Sequence, residues 1–358
     1  MPSLKEIKGR INSISSTLAI TSAMKMVAAA KLQKAQMAIQ NMLPYERRLH
    51  SMLIDLMGAM NISAAASEDG SVRGSGSAER GFDQSGDRLS LSNRHDLAGM
   101  DGAYSLMAQR QVHRVAIVAF ASNSSLCGAF NSNVIREATA VINEYRASGL
   151  GDADITVYSV GRKMAEAMKK LGFPSPADFT KMSDSPSYDA ASALAQELFD
   201  GFVSGRFDKV ELVYNHYKST SSQPTTRQTY LPLSLADATA DIQVGKITDS
   251  ASESDTNRGA EPVGAPVVRQ GSPTTEDLIV EPSKEALIAT LLPKVIRLRI
   301  FTTLLDSAAA EHAARTVAMQ LATDNGNDLL QELTLEYNKG RQQKITSEIL
   351  DLVGGSMQ

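Results

Sequence analysis

Residues 308–351 read AAAEHAARTVAMQLATDNGNDLLQELTLEYNKGRQQKITSEILD, and this stretch decides the architecture. It has no proline and only two glycines, and it is dense in Ala, Leu, Gln, Glu and Lys, which lose little entropy in a helix. Asn325, Asn338, Arg341, Gln342, Gln343 and Thr346 are scattered along it, too many polar groups for a helix buried in a core. A long helix that is polar on every side predicts a rod that touches other proteins. Pro293 suits the first turn of that helix better than its interior, so the rod is expected to run from there to about Leu352.

The first sixty residues supply a partner. Alternating steps of four and three from Ile7 give Ile7, Ile11, Ile14, Leu18, Thr21, Lys25, Ala28, Leu32, Ala35, Ile39, Met42, Glu46, Leu49, Leu53, Leu56 and Met60. Thirteen of these sixteen positions are apolar, and a 3.5-residue period held this long specifies a left-handed coiled coil. Residues 3–60 would span ~85 Å as a helix, with a local kink at Pro44. Two helices of similar length at opposite ends of one chain can pair antiparallel.

Between them the pattern changes to that of an α/β domain. Strands are expected at 112–120 (VHRVAIVAF), 155–161 (ITVYSVG), 210–215 (VELVYN) and about 228–233. Helices are expected at 131–148, 162–171 and 189–202, the last with Asp189 as its N-cap. Strands alternating with helices imply a mostly parallel, doubly wound, Rossmann-like sheet. Residues 66–108 are rich in Gly and Ser, and 245–275 contain no aromatic residue. Both read as loops unable to bury enough apolar area to offset chain entropy. The expected organisation is therefore an N-terminal coiled-coil helix at 1–62, an insert at 63–110, the α/β domain at 111–243, a second insert at 244–280 and a C-terminal helix at 281–358.

Composition narrows the function classes. The 358 residues carry a formal charge of −4, which argues against a general nucleic-acid binder. The charge is uneven, because Lys5, Lys8, Arg10, Lys25, Lys31, Lys34, Arg47 and Arg48 face only Glu6 and Glu46 in the first fifty residues. No apolar run is long enough for a transmembrane helix, and no signal or transit peptide is read at the N-terminus. Cys127 is the single cysteine, so no intrachain disulfide can form. Neither a GxGxxG after the first strand nor a GxxxxGK[ST] is present, so no phosphate cradle is expected and no cofactor is assigned. His50, His95, His113, His216 and His312 lack metal-ligand spacing. Cys127, between Leu and Gly, reads as a small packed residue, and His312 as a packing or subunit contact.

Four segments carry a family resemblance. LKEIKGRINSISSTLAITSAMKMVAAAKLQKAQ at the start resembles the opening of F-type ATP synthase gamma subunits of bacterial type, and EHAARTVAMQLATDNGNDLLQELTLEYNKGRQQKITSEILDLVGG resembles their end. SLCGAFN at 125–131 and YNHYKSTSSQ at 214–223, with LP at 231–232 and EPS at 281–283, follow in the family's order. One departure stands in the segment SNSSLCG at 122–128, where Asn123, Ser124 and Ser125 replace the family's Asp-Arg-Gly. Chloroplast-type members carry a cysteine pair as a redox switch, which a chain with one cysteine lacks.

The resemblance implies a non-catalytic rotor shaft. Its coiled coil would sit inside a hexamer of alpha and beta subunits, and its globular end, with an epsilon subunit, on a membrane c-ring. Peripheral attachment on the cytoplasmic side of a bacterial inner membrane follows from the same resemblance. It also implies contact residues. Met24 and Lys25 match the AMKMV-type motif that faces acidic beta loops. Arg341, Gln342, Thr346, Glu348 and Asp351 match the C-terminal motif where this helix meets N-terminal residues and beta. Leu350, Leu352 and Val353 suit an apolar bearing, and Ala28–Ala30, Ala308–Ala310, Ala313 and Ala314 suit close helix approach. Two other classes compete. A coiled-coil adaptor would form a stable homodimer alone, and an enzyme using the α/β domain would bind a nucleotide tightly in that domain.

Overall fold

The computed structural model describes residues 3–68, 106, 110–233 and 284–355. Helix α1 runs Leu4–Glu68 and helix α6, the last element, runs Lys284–Gly355. Between them come β1 (Val115–Phe120), α2 (Phe130–Ala147), β2 (Ile155–Val160), α3 (Arg162–Lys170), α4 (Thr180–Asp184), α5 (Tyr188–Val203), β3 (Lys209–Asn215) and β4 (Thr225–Leu231). Beyond Glu68 the first insert lies largely outside the described residues, and the second lies wholly outside them.

The α1 heptad pattern holds. Each of its positions from Ile7 to Leu56 is buried or half-buried, with Ile7 3%, Ala28 2% and Leu53 2% exposed. α1 starts at Ser3, whose Oγ accepts the Glu6 N–H at 3.3 Å, and it continues unbroken through Pro44. Pro293 corrects an expectation, since it lies inside α6 and not in its first turn. The helix begins nine residues earlier and tolerates the lost N–H because Leu292, Val295 and Ile296 around it are buried in the main core.

The sheet order is β2-β1-β3-β4, with the first three strands parallel and β4 antiparallel to β3. Every residue of β1 is buried, as a strand covered on both faces requires. Ile117 and Ala119 face Val134, Val141 and Ile142 of α2 and Met164 and Met168 of α3. Val118 and Phe120 face Leu194 and Leu198 of α5, and this second layer continues into Leu49 and Leu53 of α1 and Leu292, Ile296 and Leu304 of α6. The α/β domain and the foot of the coiled coil thus share one core. Gly161 at φ +96° closes the β2–α3 corner, and a Cβ there would lie 2.0 Å from the Ala121 carbonyl oxygen.

Two further boundaries moved. α5 is capped by Ser187, whose Oγ accepts the Ala190 N–H at 3.3 Å, and not by Asp189, which lies in the first turn. β4 spans Thr225–Leu231, three residues earlier than the 228–233 read from the sequence.

Candidate functional site

The helix pair is antiparallel, and its cross-contacts give the register. An added Cβ at Gly340 would lie 3.2 Å from Leu4, and one at Gly326 would lie 2.6 Å from Leu18. Thr323 donates to Thr21 at 3.1 Å, Leu32 packs on Ala309 and Ala313, and Thr302 donates to Glu46 at 3.0 Å. Two of the three polar breaks in the α1 heptads are therefore hydrogen-bonded across the seam. The α6 side keeps the same 4–3 spacing, with Met319, Thr323, Gly326, Leu330, Leu333, Tyr337 and Gly340 turned inward.

The pairing stops at Gly340, opposite the start of α1. Every residue from Arg341 to Leu350 is exposed, and the last fifteen residues of α6, ~22 Å of helix, run past the described start of α1. This tip exposes Ile345 47%, Ile349 54%, Leu350 65%, Leu352 74% and Val353 51%. Arg341, Gln342, Thr346 and Glu348 all lie on this tip. Thr346 Oγ1 donates to the Gln342 carbonyl at 2.9 Å, and Lys344 stands 3.8 Å from Glu348. Asp351 continues the helix, and its side chain lies outside the described residues. Met24 and Lys25 are half-buried on α1, twenty residues from Leu4 and so ~30 Å down the shaft. The two groups of expected contact residues form separate belts. The described part of α1 begins opposite the start of that C-terminal motif, Leu4 lying beside Gly340.

The basic bias of α1 lies on the outside. Lys5, Lys8, Arg10, Lys31, Lys34 and Arg48 are exposed, with Arg10 bound to Glu6 at 2.8 Å.

The carboxyl ends of parallel strands are where open α/β sheets bind ligands. Here α6 lies across them. Arg315 donates to Ser124 Oγ at 2.8 Å and to Glu311 at 2.7 Å. Ala310 packs on Cys127 and Phe130. A gap lined by Ala121, Ser183, Ser307 and Glu311 holds about one water. Burial pushes the Glu311 carboxyl up, against the pull of Arg315. The pKa of His312, beside it, is held down to about 4 by burial, then by Arg315 and Lys31, and its buried Nδ1 has no hydrogen-bond partner among the described residues. Cys127 is 1% exposed, and its sulfur accepts from Asn131 Nδ2 at 3.1 Å and lies 3.7 Å from Ser122 Oγ. The nearby strand-end His216 is engaged by Asp306. The expected alanines divide in role. Ala309 and Ala313 admit α1, Ala310 and Ala314 admit the domain, and Ala29 and Ala30 are exposed.

Sequence reasoning missed how the domain is fastened to the shaft. Asp306, Tyr217, Gln36 and Arg315 do this work, and none of them stood out by spacing. Their only signal was membership of the YNHYKSTSSQ and EHAART segments or proximity to the latter, and for Gln36 its place at the end of the N-terminal segment LKEIK…KAQ.

A family model described as ATP synthase matches residues 3–357. The chain is 47% identical over 357 residues to an ATP synthase gamma chain of Phocaeicola vulgatus, and 45% identical over 358 residues to one of Bacteroides thetaiotaomicron. Each match covers 100% of both chains. In solved structures the fold resembles a chain of the Euglena gracilis mitochondrial ATP synthase (OSCP/F1/c-ring, rotational state 3). The TM-score is 0.52 at 18% identity, covering 99% of this chain and 93% of that one. With its full length matched by model and relatives alike, and with the antiparallel shaft on its α/β foot, the chain belongs to the ATP synthase gamma chain family.

Proposed function

We propose that this chain is the central rotor shaft of a proton-translocating F-type ATP synthase, a non-catalytic subunit that couples rotation of a membrane c-ring to ATP synthesis and hydrolysis. The observation that carries this is the exposed apolar tip of α6. It is an exposed, partly apolar helix that runs past the described start of α1, the shape of an axle end that needs a sleeve. The alpha and beta subunits would supply the sleeve, and the epsilon subunit and c-ring would hold the α/β foot. Met24 and Lys25 form one contact belt and Arg341, Gln342, Thr346, Glu348 and Asp351 a second. Rotation changes nucleotide affinity only because the shaft contacts each beta conformation differently, and such coupling is limited by that difference in contact energy. No described helix is long and apolar enough to cross a membrane. Attachment is proposed to be peripheral, through the complex, on the cytoplasmic face of the inner membrane.

The test is co-purification from detergent-solubilised native membranes with a tag on this chain. The expected result is one copy with a full alpha–beta hexamer, and poor solubility of the chain expressed alone. A soluble, monodisperse chain that leaves alpha and beta behind would refute the assignment.

A further inference from the structure

The hairpin between β3 and β4 is stiffer than its sequence, HYKSTSSQP, implies. His216 N–H donates to the Pro224 carbonyl at 2.9 Å, Lys218 N–H to Ser222 at 3.3 Å, and Ser219 and Ser222 exchange bonds at 3.1 and 3.2 Å. Gln223 Nε2 ties down the Ser219 and Thr220 carbonyls at 3.0 and 2.7 Å. At its root, Asn215 Nδ2 donates to the Phe130 carbonyl at 3.1 Å and Thr225 Oγ1 to Asn215 Oδ1 at 2.7 Å. The hairpin is therefore a rigid extension of the sheet.

That extension holds both helices of the shaft. Asp306 of α6 uses its two carboxylate oxygens separately: Oδ1 accepts the Tyr217 N–H at 2.9 Å, and Oδ2 lies 2.6 Å from His216 Nδ1. The Tyr217 hydroxyl accepts from Gln36 Nε2 of α1 at 2.7 Å. Its ring packs against the Leu32–Ala309–Ala313 cluster of the shaft and the Cys127–Phe130–Ala310 cluster beneath it. The shared core and the bonds Tyr230–Ile296, Arg297–Gln196 and Arg315–Ser124 also hold the domain, but those three bonds reach α6 alone, whereas the Tyr217 corner bonds to both helices. Hydrogen bonds with fixed geometry to two different helices oppose rotation of one body on another directly.

We infer that the His216–Tyr217 corner is the joint that locks the α/β foot to both shaft helices against rotation, with Asp306 and Gln36 as its receiving residues. This rests on the rotor reading. The four are positioning residues, since they act on coupling through the shaft. The hydrogen bond to Asp306 raises the His216 pKa above its ordinary value, with burial opposing. The charged groups acting on it are Asp306 from α6 and, in opposition, Lys218 from its own hairpin. A His whose folded pKa is raised contributes fully below the unfolded value and loses its contribution as pH rises through the folded one. The joint therefore loosens on the alkaline side of about pH 6.5.

The experiment uses the whole complex in membrane vesicles, comparing the parent with Tyr217→Phe, Asp306→Asn and the double variant. Tyr217→Phe removes one hydroxyl and keeps the ring, and Asp306→Asn keeps the shape and removes the charge. ATP hydrolysis is expected to stay within about twofold of the parent, while protons pumped per ATP fall several-fold in the double variant and less in each single one. The parent's pumping ratio should decline as pH rises from about 6.5, and Asp306→Asn should flatten that profile. A double variant that pumps like the parent at every pH overturns the joint. Equal loss of hydrolysis and pumping in Tyr217→Phe also overturns it, since that marks a plain structural role. If the parent complex lacks this chain, the rotor reading itself fails, which co-purification shows separately.

Discussion

Cys127 lies 1% exposed beneath the Tyr217 ring, with an amide donor from Asn131 and the Ser122 hydroxyl already in place around its sulfur. A serine there would inherit both partners. Cys127→Ser should therefore cost at most ~1–2 kcal/mol, and the assembled complex should keep near-parental hydrolysis and pumping in vesicle assays. A complex that assembles normally yet loses hydrolysis would bring back a thiol chemistry that the surroundings of Cys127 give no base to support. His312 presents the opposite case, a half-buried ring whose buried Nδ1 has no partner among the described residues. Its folded pKa of about 4 lies below the usual value, so the unfolded chain binds the extra proton first as pH falls. Stability is complete above about pH 6.5 and is lost on the way down to about 4, on the order of 1–3 kcal/mol after allowing for its part exposure. His312→Leu should remove this acid sensitivity. The check is the difference in heat-inactivation midpoint between parent and variant complexes at neutral and acidic pH, which should open as pH drops.

At the scale of elements, the seam is governed by side-chain size. Gly326 admits Leu18 so closely that a Cβ would lie 2.6 Å from its Cδ2. Gly326→Leu should force the helices apart at a cost of ~1–3 kcal/mol, and adding Leu18→Ala should recover much of it. Heat inactivation of the four complexes measures that cycle, and strictly additive effects would show that the two positions do not meet. The exposed tip of α6 makes a separate claim. Ile349→Glu with Leu352→Glu should raise the solubility of the isolated chain, because both side chains are more than half exposed. In the complex, where an apolar sleeve is expected, the same pair should lower the hydrolysis rate severalfold. Solubility assays and steady-state ATPase rates read the two halves, and an unchanged rate would mean that the tip runs free of its surroundings.

At the scale of the whole molecule, the rod and its foot are one body, because α1, α5, α6 and the sheet share a core. The second insert, at 244–280, is expected to be dispensable to that body. Deleting residues 248–272 should leave co-purification with alpha and beta intact, and loss of assembly would reveal a packed element in it. The sequence by itself determined the two rods, the heptad stripe of the first and the alternation of strands and helices. These follow from local periodicity, since each residue's face is fixed by its place in a helix or strand. The expected contact residues rest on resemblance, and they fall on two stretches of the shaft, Met24 and Lys25 lying ~30 Å from the start of α1 and the C-terminal group on the tip of α6. Only the tertiary structure decided that Pro293 lies inside a helix, where packing around Leu292 and Ile296 outweighs local preference. It alone decided that α6 covers the ligand-binding edge of the sheet, and that Asp306 receives Tyr217 and His216 from about ninety residues away. Such pairings depend on how whole elements dock, and nothing in the spacing of one segment encodes where another will come to rest against it.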